Sequence, residues 1–325
     1  MLALTLSVCV VAVLGLALLP LNVPGYMALG MIAGLSTPPV QAAVRTIYPK
    51  LVNSSQLTPL FSLDASLQEI IWVLAPVVIT LVSTQIGTAV GLLLVAVVLV
   101  GGGAWFILSP EVGRVRIPRS RSALGKVVLK PPVLLATIIG FLLIGACSAV
   151  EVGVVATFEH GSLAAGLVLA VFAVGSLAGG LSFGHIPIGP WAMARRLTIV
   201  TVGLALTMFS LNEFWLGGTL IVAGIGVAPA LAVLFAITTA SVKFSETAEA
   251  FGWAGTGQLI GAAAGSAVAG FLVDATDPRG AYLAATLFAA AGLVVSIVFV
   301  RSFPDLRHRD ASPHPDTEPL AVTPS

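Results

Sequence analysis

The chain has 325 residues, of which 58% are hydrophobic and only 9% are charged, and its formal net charge is +1. Soluble domains are about 25% charged, so a soluble fold would expose long apolar runs to water at about 25 cal/mol for each Å². The near-neutral charge also gives no basic surface for nucleic acid. These values indicate a membrane protein, which must cross lipid as helices or as a closed barrel.

Ten apolar segments are long enough to cross about 30 Å of hydrocarbon, and none shows the two-residue alternation of a barrel strand. They lie near residues 2–20, 23–43, 67–86, 88–108, 131–150, 161–183, 197–212, 215–241, 250–273 and 281–300. The first has no basic n-region and another follows almost at once, which favours a membrane span over a signal peptide. The sequence therefore predicts an all-α polytopic membrane protein with ten transmembrane helices.

The basic residues orient these segments, because Lys and Arg accumulate on the cytoplasmic side. Of the 15 basic residues, 14 lie in one set of alternate loops and only Arg279 lies in the other. We therefore expect a multi-pass protein of the cell (plasma) membrane with both termini in the cytoplasm. The predicted regions are an N-terminal half-bundle of four spans (1–108), a basic cytoplasmic central loop (109–130), a C-terminal half-bundle of six spans (131–302) and a disordered cytoplasmic tail (303–325).

A loose internal repeat relates residues 34–39 to residues 224–229, and each stretch is followed by a polar loop and another span. Parallel halves of this kind occur in membrane transporters. The basic segment 109–130, with four spans before it and six after it, also resembles the central loop of the major facilitator superfamily. The resemblance implies two pseudo-repeated bundles and secondary transport, with the spans corresponding to the third through twelfth of the family.

This resemblance is one of architecture, because several family motifs depart in this chain. The second-half loop motif keeps Gly184 and Arg195-Arg196 but lacks its acid, and Gly30 stands where the fourth-span motif has an arginine. The antiporter motif of the fifth span is reduced to Pro76 without its flanking glycines. These departures argue against drug–proton exchange.

The resemblance further implies that the first two family spans have no counterpart after Met1. A start codon assigned too late and a real truncation both account for this. The reading frame upstream of Met1 distinguishes them.

Glu69 is the carboxylate that lies clearly within a predicted span, and intramembrane acids are candidates for a transport role. The run Ser66-Leu67-Gln68-Glu69 also has the pattern of a helix capping box, so a cap and a transport role both remain open. Arg45 ends the second span, where it either snorkels to headgroups or contacts Glu69 at a cytoplasmic gate. The candidates for a transport pathway are Glu69, Arg45, Gln41, Trp72, Trp253 and Gln258.

Glycines 257, 261 and 265 place small residues on one helix face at four-residue spacing. Such a stripe allows another helix to approach closely or provides a flexible bend. Prolines at 39, 76 and 229 predict kinks in their spans. The candidates for helix packing or hinge motion are Gly34, Pro39, Pro76, Pro229, Gly257, Gly261 and Gly265.

No catalytic chemistry is indicated, since the sequence has no nucleophile–base pair, phosphate-binding loop, nucleotide motif or metal-ligand cluster. We expect no enzyme activity, no catalytic or metal-binding residue and no cofactor. The expected partners are a small-molecule substrate, a coupling proton and the lipid bilayer, with no nucleic acid and a monomeric state. The predicted function is secondary active transport by alternating access, with efflux of a small amphipathic or uncharged compound. The alternative is an inactive transporter remnant or a non-transporting membrane scaffold.

The predicted orientation can be tested by labelling single cysteines in a variant whose Cys9 and Cys147 are replaced by alanine. Cysteines introduced at Ser120 and at Ser162 should react from opposite sides of intact cells, because an odd number of predicted spans separates them. A membrane-impermeant maleimide should therefore label position 162 and not position 120. Labelling of position 120 from outside would contradict the topology.

Overall fold

The computed structural model describes residues 2–110, 112, 125–158 and 163–316, and these are almost entirely helical. The α-helices in the described residues are α1 (Leu2–Leu18), α2 (Val23–Leu35), α3 (Val40–Leu51), α4 (Ser54–Gln85), α5 (Thr88–Leu108), α6 (Pro131–Thr157), α7 (Leu163–Phe183), α8 (Ala192–Thr207), α9 (Glu213–Ala240), α10 (Thr247–Ala275) and α11 (Arg279–Val298). The predicted all-α fold class is confirmed.

Seven helical stretches among the described residues are long and apolar enough to cross a membrane, and α1 is a shorter apolar helix. Each of the ten predicted segments overlaps a helix of the structure. The number of spans stays a prediction, because length and hydropathy alone do not place a helix in a bilayer.

The region between residues 36 and 66 differs from its prediction. The sequence predicted a span over 23–43 followed by a polar loop, whereas helix α3 continues to Leu51 and α4 begins at Ser54. The predicted loop is therefore wrong. A break does occur before α3 at Pro38 and Pro39, because proline lacks the N–H of a helical hydrogen bond and disfavours helix in the residue before it.

The chain divides into two compact units, one of Met1–Leu51 and Ile71–Arg116 and the other of Val52–Ile70 and Ile117–Ser325. Helix α4 contributes its first part to the second unit and the remainder to the first. The sequence placed all of residues 1–108 in the N-terminal half-bundle, whereas residues 52–70 group with the C-terminal half.

In the N-terminal unit, α1 packs against α2 and α5. Cys9 and Val13 of α1 form a buried cluster with Ala96 of α5. Gly87, in the turn between α4 and α5, has a φ of 146°, a conformation that other residues rarely adopt. The short apolar turn therefore depends on this glycine.

In the C-terminal unit, α6 packs against α10 and α11, and α9 packs against α7 and α8. The predicted glycine stripe of α10 faces α6. A Cβ added at Gly261 would overlap the carbonyl oxygen of Phe141, and one at Gly265 would overlap the carbonyl oxygen of Gly145. The two helix backbones are therefore in direct contact, which a larger side chain at either position would prevent.

The tail segment (residues 303–316) also differs from its prediction, because the structure gives it fixed partners. Leu306 N–H donates to the carbonyl of Ile188 at 2.8 Å, and His314 exchanges backbone hydrogen bonds with Val242 and Phe244 at 2.9 and 3.1 Å. The side chain of Leu306 is buried. The polar composition of the tail segment suggested disorder. The hydrogen bonds that hold it are made by backbone groups, and amino-acid composition does not show how backbone groups pair.

The close contact between α6 and α10 predicts unequal effects of two alanine substitutions on one helix. Gly261→Ala should destabilise the protein by about 1–3 kcal/mol, because the new methyl group overlaps the backbone of α6. Gly270→Ala is the matched control, since no atom lies within 4 Å of its Cβ position. It should be neutral or stabilising by up to about 1 kcal/mol, because alanine favours helix over glycine.

Thermal unfolding of the two purified variants and the parent measures this difference. Equal stability of the two variants would show that the stripe is not a packing surface.

Candidate functional site

The first half of α4 is buried along one face within the C-terminal unit. Leu57, Phe61 and Ala65 recur at four-residue spacing, as one helix face requires, and all three are fully buried. The ring of Phe61 lies 6.2 Å from the rings of both Phe235 in α9 and Phe251 in α10. The latter two rings are 6.1 Å apart. These three aromatic side chains fix the position of α4 by apolar contact.

An adjacent face of α4 meets α7 through serine and glycine. The Ser62 hydroxyl donates to the carbonyl of Gly180 at 2.5 Å. A Cβ at Gly180 would overlap the hydroxyl of Ser66, and one at Gly184 would lie 3.0 Å from the Cβ of Ser62. Small residues on α7 therefore bring polar groups of α4 against its backbone.

One turn further along α4, Glu69 is buried with 8% of its surface exposed. Its carboxylate accepts a hydrogen bond from the Ser176 hydroxyl of α7. The oxygen of that hydroxyl accepts a second bond, from the Ala228 N–H of α9, at 3.0 Å. One polar chain thus joins α4, α7 and α9 inside the C-terminal unit.

The position of Glu69 excludes the capping interpretation. Helix α4 runs from Ser54 to Gln85, so Ser66 and Glu69 lie inside it and have no free helix terminus to cap. The predicted capping box is therefore wrong. The transport role of Glu69 stays a prediction.

The carboxylate of Glu151 in α6 repels that of Glu69 when both are ionised. Glu151 lies six residues before the end of α6 at Thr157. None of the ion pairs recorded among the described residues includes Glu69. An ionised carboxylate in such surroundings is costly, and binding of a proton or a cationic group would remove that cost.

Pro229 shapes α9 directly beside this chain of hydrogen bonds. It is buried within the helix, and it has no N–H to donate to the carbonyl of Ile225. Gly179 of α7 lies against that carbonyl, where an added Cβ would overlap it. The proline and the glycine together let α7 and α9 approach at the level of Ser176.

Comparison with known proteins gives one matching family model and several similar solved structures, two of which are described here. Residues 182–323 match the model of the Major Facilitator Superfamily. The structure resembles the human organic anion transporter MFSD10 (TETRAN), with a TM-score of 0.69 and 13% identity, covering 91% of this chain and 76% of that one. It also resembles a bacterial homologue of the iron transporter ferroportin in an outward-facing state, with a TM-score of 0.67 and 14% identity, covering 91% of this chain and 82% of that one.

The predicted resemblance to the major facilitator superfamily is confirmed. The family match and the fold support membrane transport as the function of this multi-pass protein. No curated protein sequence matches the chain significantly.

The remaining pathway candidates belong to both units of the chain. In the C-terminal unit, the indole N–H of Trp253 donates to Glu249 at 3.4 Å, and Gln258 packs over Gly140 of α6. Gln41 and Trp72 belong to the N-terminal unit and are exposed. Their roles in a pathway stay predictions.

Arg45 does not snorkel as one interpretation predicted, because only 3% of its surface is exposed. Its contact with Glu69 stays a prediction. Among the hinge candidates, Gly34 and Pro39 flank the break between α2 and α3, and the side chain of Pro76 lies outside the described residues. Glu159 and His160, which the sequence placed in an outer loop, also lie outside them.

The sequence analysis missed Ser176, although this serine carries the hydrogen bond to Glu69. Its signal was its position between Gly175 and Gly179 in an apolar run. A hydroxyl flanked by small residues in a membrane helix lies where another helix can come close enough to bond it.

The contact between α4 and α7 predicts that cysteines at Ser62 and Gly184 form a disulfide on mild oxidation. Their Cβ positions are 3.0 Å apart, close to the usual 3.5–4.5 Å of a disulfide. Thiol counting and mobility after cleavage between the two helices would detect the bond in a variant without the native cysteines. The control pairs Ser62→Cys with Gly166→Cys on the same helix α7, where no atom lies within 4 Å of the Cβ. Equal cross-linking of both pairs would contradict the contact.

Proposed function

We propose that this chain is a secondary active transporter that works by alternating access and uses Glu69 as its coupling group. The observation that carries the proposal is the burial of this carboxylate inside α4, where it accepts a hydrogen bond from Ser176 and takes part in no recorded ion pair of the described residues. An intramembrane acid in such a position is by default a site for an ion or a substrate.

A proton suits this site because it changes the strength of one helix contact. When Glu69 is ionised, its bond from Ser176 is charge-assisted, and such bonds are about twice as strong as neutral ones. When Glu69 is protonated, its carbonyl oxygen still accepts that bond, but more weakly. Protonation therefore loosens the attachment of α4 to α7 without removing it.

The size of this effect follows from the strength of the two kinds of hydrogen bond. Hydrogen bonds to charged groups contribute about 1.5–3 kcal/mol and neutral ones about 0.5–1.5 kcal/mol. The difference of about 1 kcal/mol changes the ratio of two conformations roughly fivefold. Binding of one proton to Glu69 thus favours the conformation in which α4 and α7 separate. Release of the proton favours the conformation in which they are in contact.

We propose that the substrate is a small amphipathic or uncharged compound and that it is exported. The residues of α4 before Glu69 support this choice, since Ser62 and Ser66 supply hydroxyls, Phe61 packs against two further rings, and the acid disfavours anions. The organic anions named for MFSD10 therefore fit this site less well than a neutral or weakly cationic compound.

Substitution of Glu69 by glutamine tests the coupling role. Glutamine keeps the size of the side chain and an oxygen that accepts from Ser176, but it binds no proton at this position. Glu69→Gln in proteoliposomes should lose accumulation driven by a proton gradient and keep counterflow, measured with a panel of fluorescent amphipathic dyes. The control is Glu213→Gln at the exposed start of α9, which should transport like the parent.

Gradient-driven accumulation by Glu69→Gln at the parental rate would overturn the coupling role. Absence of counterflow in the parent protein for every dye would instead favour the inactive remnant or the scaffold.

Alternating access also gives the cross-linked cysteine pair a functional consequence. A disulfide between positions 62 and 184 would hold α4 against α7, so oxidation should stop counterflow and reduction should restore it. Continued counterflow in the oxidised protein would show that this contact does not open during transport.

A further inference from the structure

A cavity whose lining does not include Glu69 lies in the C-terminal unit and has a volume of about 580 Å³. This size is within the range of small-ligand sites. It is bounded by the segment before α8, the segment after α11 and the tail segment. Its lining residues are Gly189, Pro190, Trp191, Arg195, Val300, Arg301 and Arg307.

Three arginines give this cavity a positive charge. Arg307 is neutralised by Asp305, with bonds of 2.5–3.0 Å between the guanidinium and the carboxylate, and this pair lowers the pKa of Asp305 to about 2. No acid in the described part of the chain forms a recorded ion pair with Arg195 or Arg301. Two positive charges therefore remain to attract an anion.

The tail segment builds one wall of the cavity. The Leu306 N–H bonds to the carbonyl of Ile188 at 2.8 Å, which places the next residue over the start of α8. The stem of Arg307 accordingly lies against Gly189, whose Cβ position is 3.3 Å from the Arg307 Nε. The cavity thus depends on fixed backbone contacts and is more than a group of solvated side chains.

The predicted topology places the cavity at the level of lipid headgroups. Helix α8 begins at Ala192 and α11 ends at Val298, so its walls come from helix ends, which that topology places at the membrane–water interface. Trp191 is exposed there, as tryptophans of the interfacial belt are. This end carries the basic residues that the sequence assigns to the cytoplasm, the side on which anionic lipids concentrate.

We propose that this cavity binds the phosphate of an anionic phospholipid through Arg195 and Arg301, with Trp191 and Val300 against its glycerol and upper acyl carbons. Guanidinium groups bind phosphate oxygens through paired hydrogen bonds. The apolar wall favours a lipid over a free phosphate, because a free phosphate leaves that wall uncovered.

Thermal unfolding of the full-length protein in detergent, titrated with short-chain phosphatidylglycerol, tests the proposal. Phosphatidylglycerol should raise the midpoint of the parent, and phosphatidylcholine with the same acyl chains should not. Each basic residue near a membrane surface contributes roughly fivefold to the binding of acidic lipid. Arg195→Gln combined with Arg301→Gln should therefore weaken the apparent affinity about 30-fold.

The matched control is Arg279→Gln, which removes a positive charge from the opposite set of loops and should keep the parental affinity. If the double variant fails to fold, native mass spectrometry of Arg195→Gln and Arg301→Gln singly should show about fivefold fewer bound phosphatidylglycerol molecules in each case.

Two results would overturn the proposal. One is parental affinity for phosphatidylglycerol in the arginine variants. The other is stabilisation of the parent by millimolar inorganic phosphate to the same extent as by the lipid, which would assign the cavity to a soluble phosphate compound.

Discussion

Direct contact between helix backbones is the constraint on which the C-terminal unit depends. Helices in lipid gain nothing from hiding apolar surface, so their association rests on close packing and on hydrogen bonds between them. Dispersion attraction between two atoms falls off steeply with their separation. Glycine has no side chain, so it allows two helix backbones to come into contact. It does so between α6 and α10 at Gly261 and Gly265, and between α7 and α9 at Gly179.

The same close packing accounts for the polar chain at Glu69. The carboxylate and the Ser176 hydroxyl meet because the glycines at 180 and 184 bring α7 against the serines of α4. The hydroxyls of Ser62 and Ser176 then bond to the Gly180 carbonyl and to Glu69, whereas the buried Ser66 hydroxyl has no hydrogen-bond partner among the described residues. Helix packing and the candidate coupling site are therefore one structural feature.

Much of the fold follows from the sequence, because hydropathy reports directly on membrane helices. The ten apolar segments overlap helices, and the four-residue spacing of the α10 glycines marked the face that meets α6. These features depend on local pattern alone. The sequence also singled out Glu69 by its location in an apolar run.

The features that the sequence did not predict depend on partners distant in the chain. Ser66 and Glu69 have the spacing of a capping box, and only the helical turns from Ser54 onward show that they lie inside a helix. The role of Ser176 depends on its hydrogen bond to a carboxylate that is more than a hundred residues away in the chain. The tail segment is polar in composition, yet backbone bonds to the loop after α9 hold it. No local pattern encodes such pairings.

The attachment of the tail segment has a consequence for the order of assembly. Its partners, Ile188, Val242 and Phe244, are synthesised well before it. The tail segment follows α11 in the chain. The backbone groups of Ile188, Val242 and Phe244 therefore lack these hydrogen-bond partners until α11 and the tail segment have been synthesised. Their pairing with Leu306 and His314 is therefore a late event in biogenesis. An interruption of synthesis after α11 would leave a bundle whose loop groups remain open to water and to proteases.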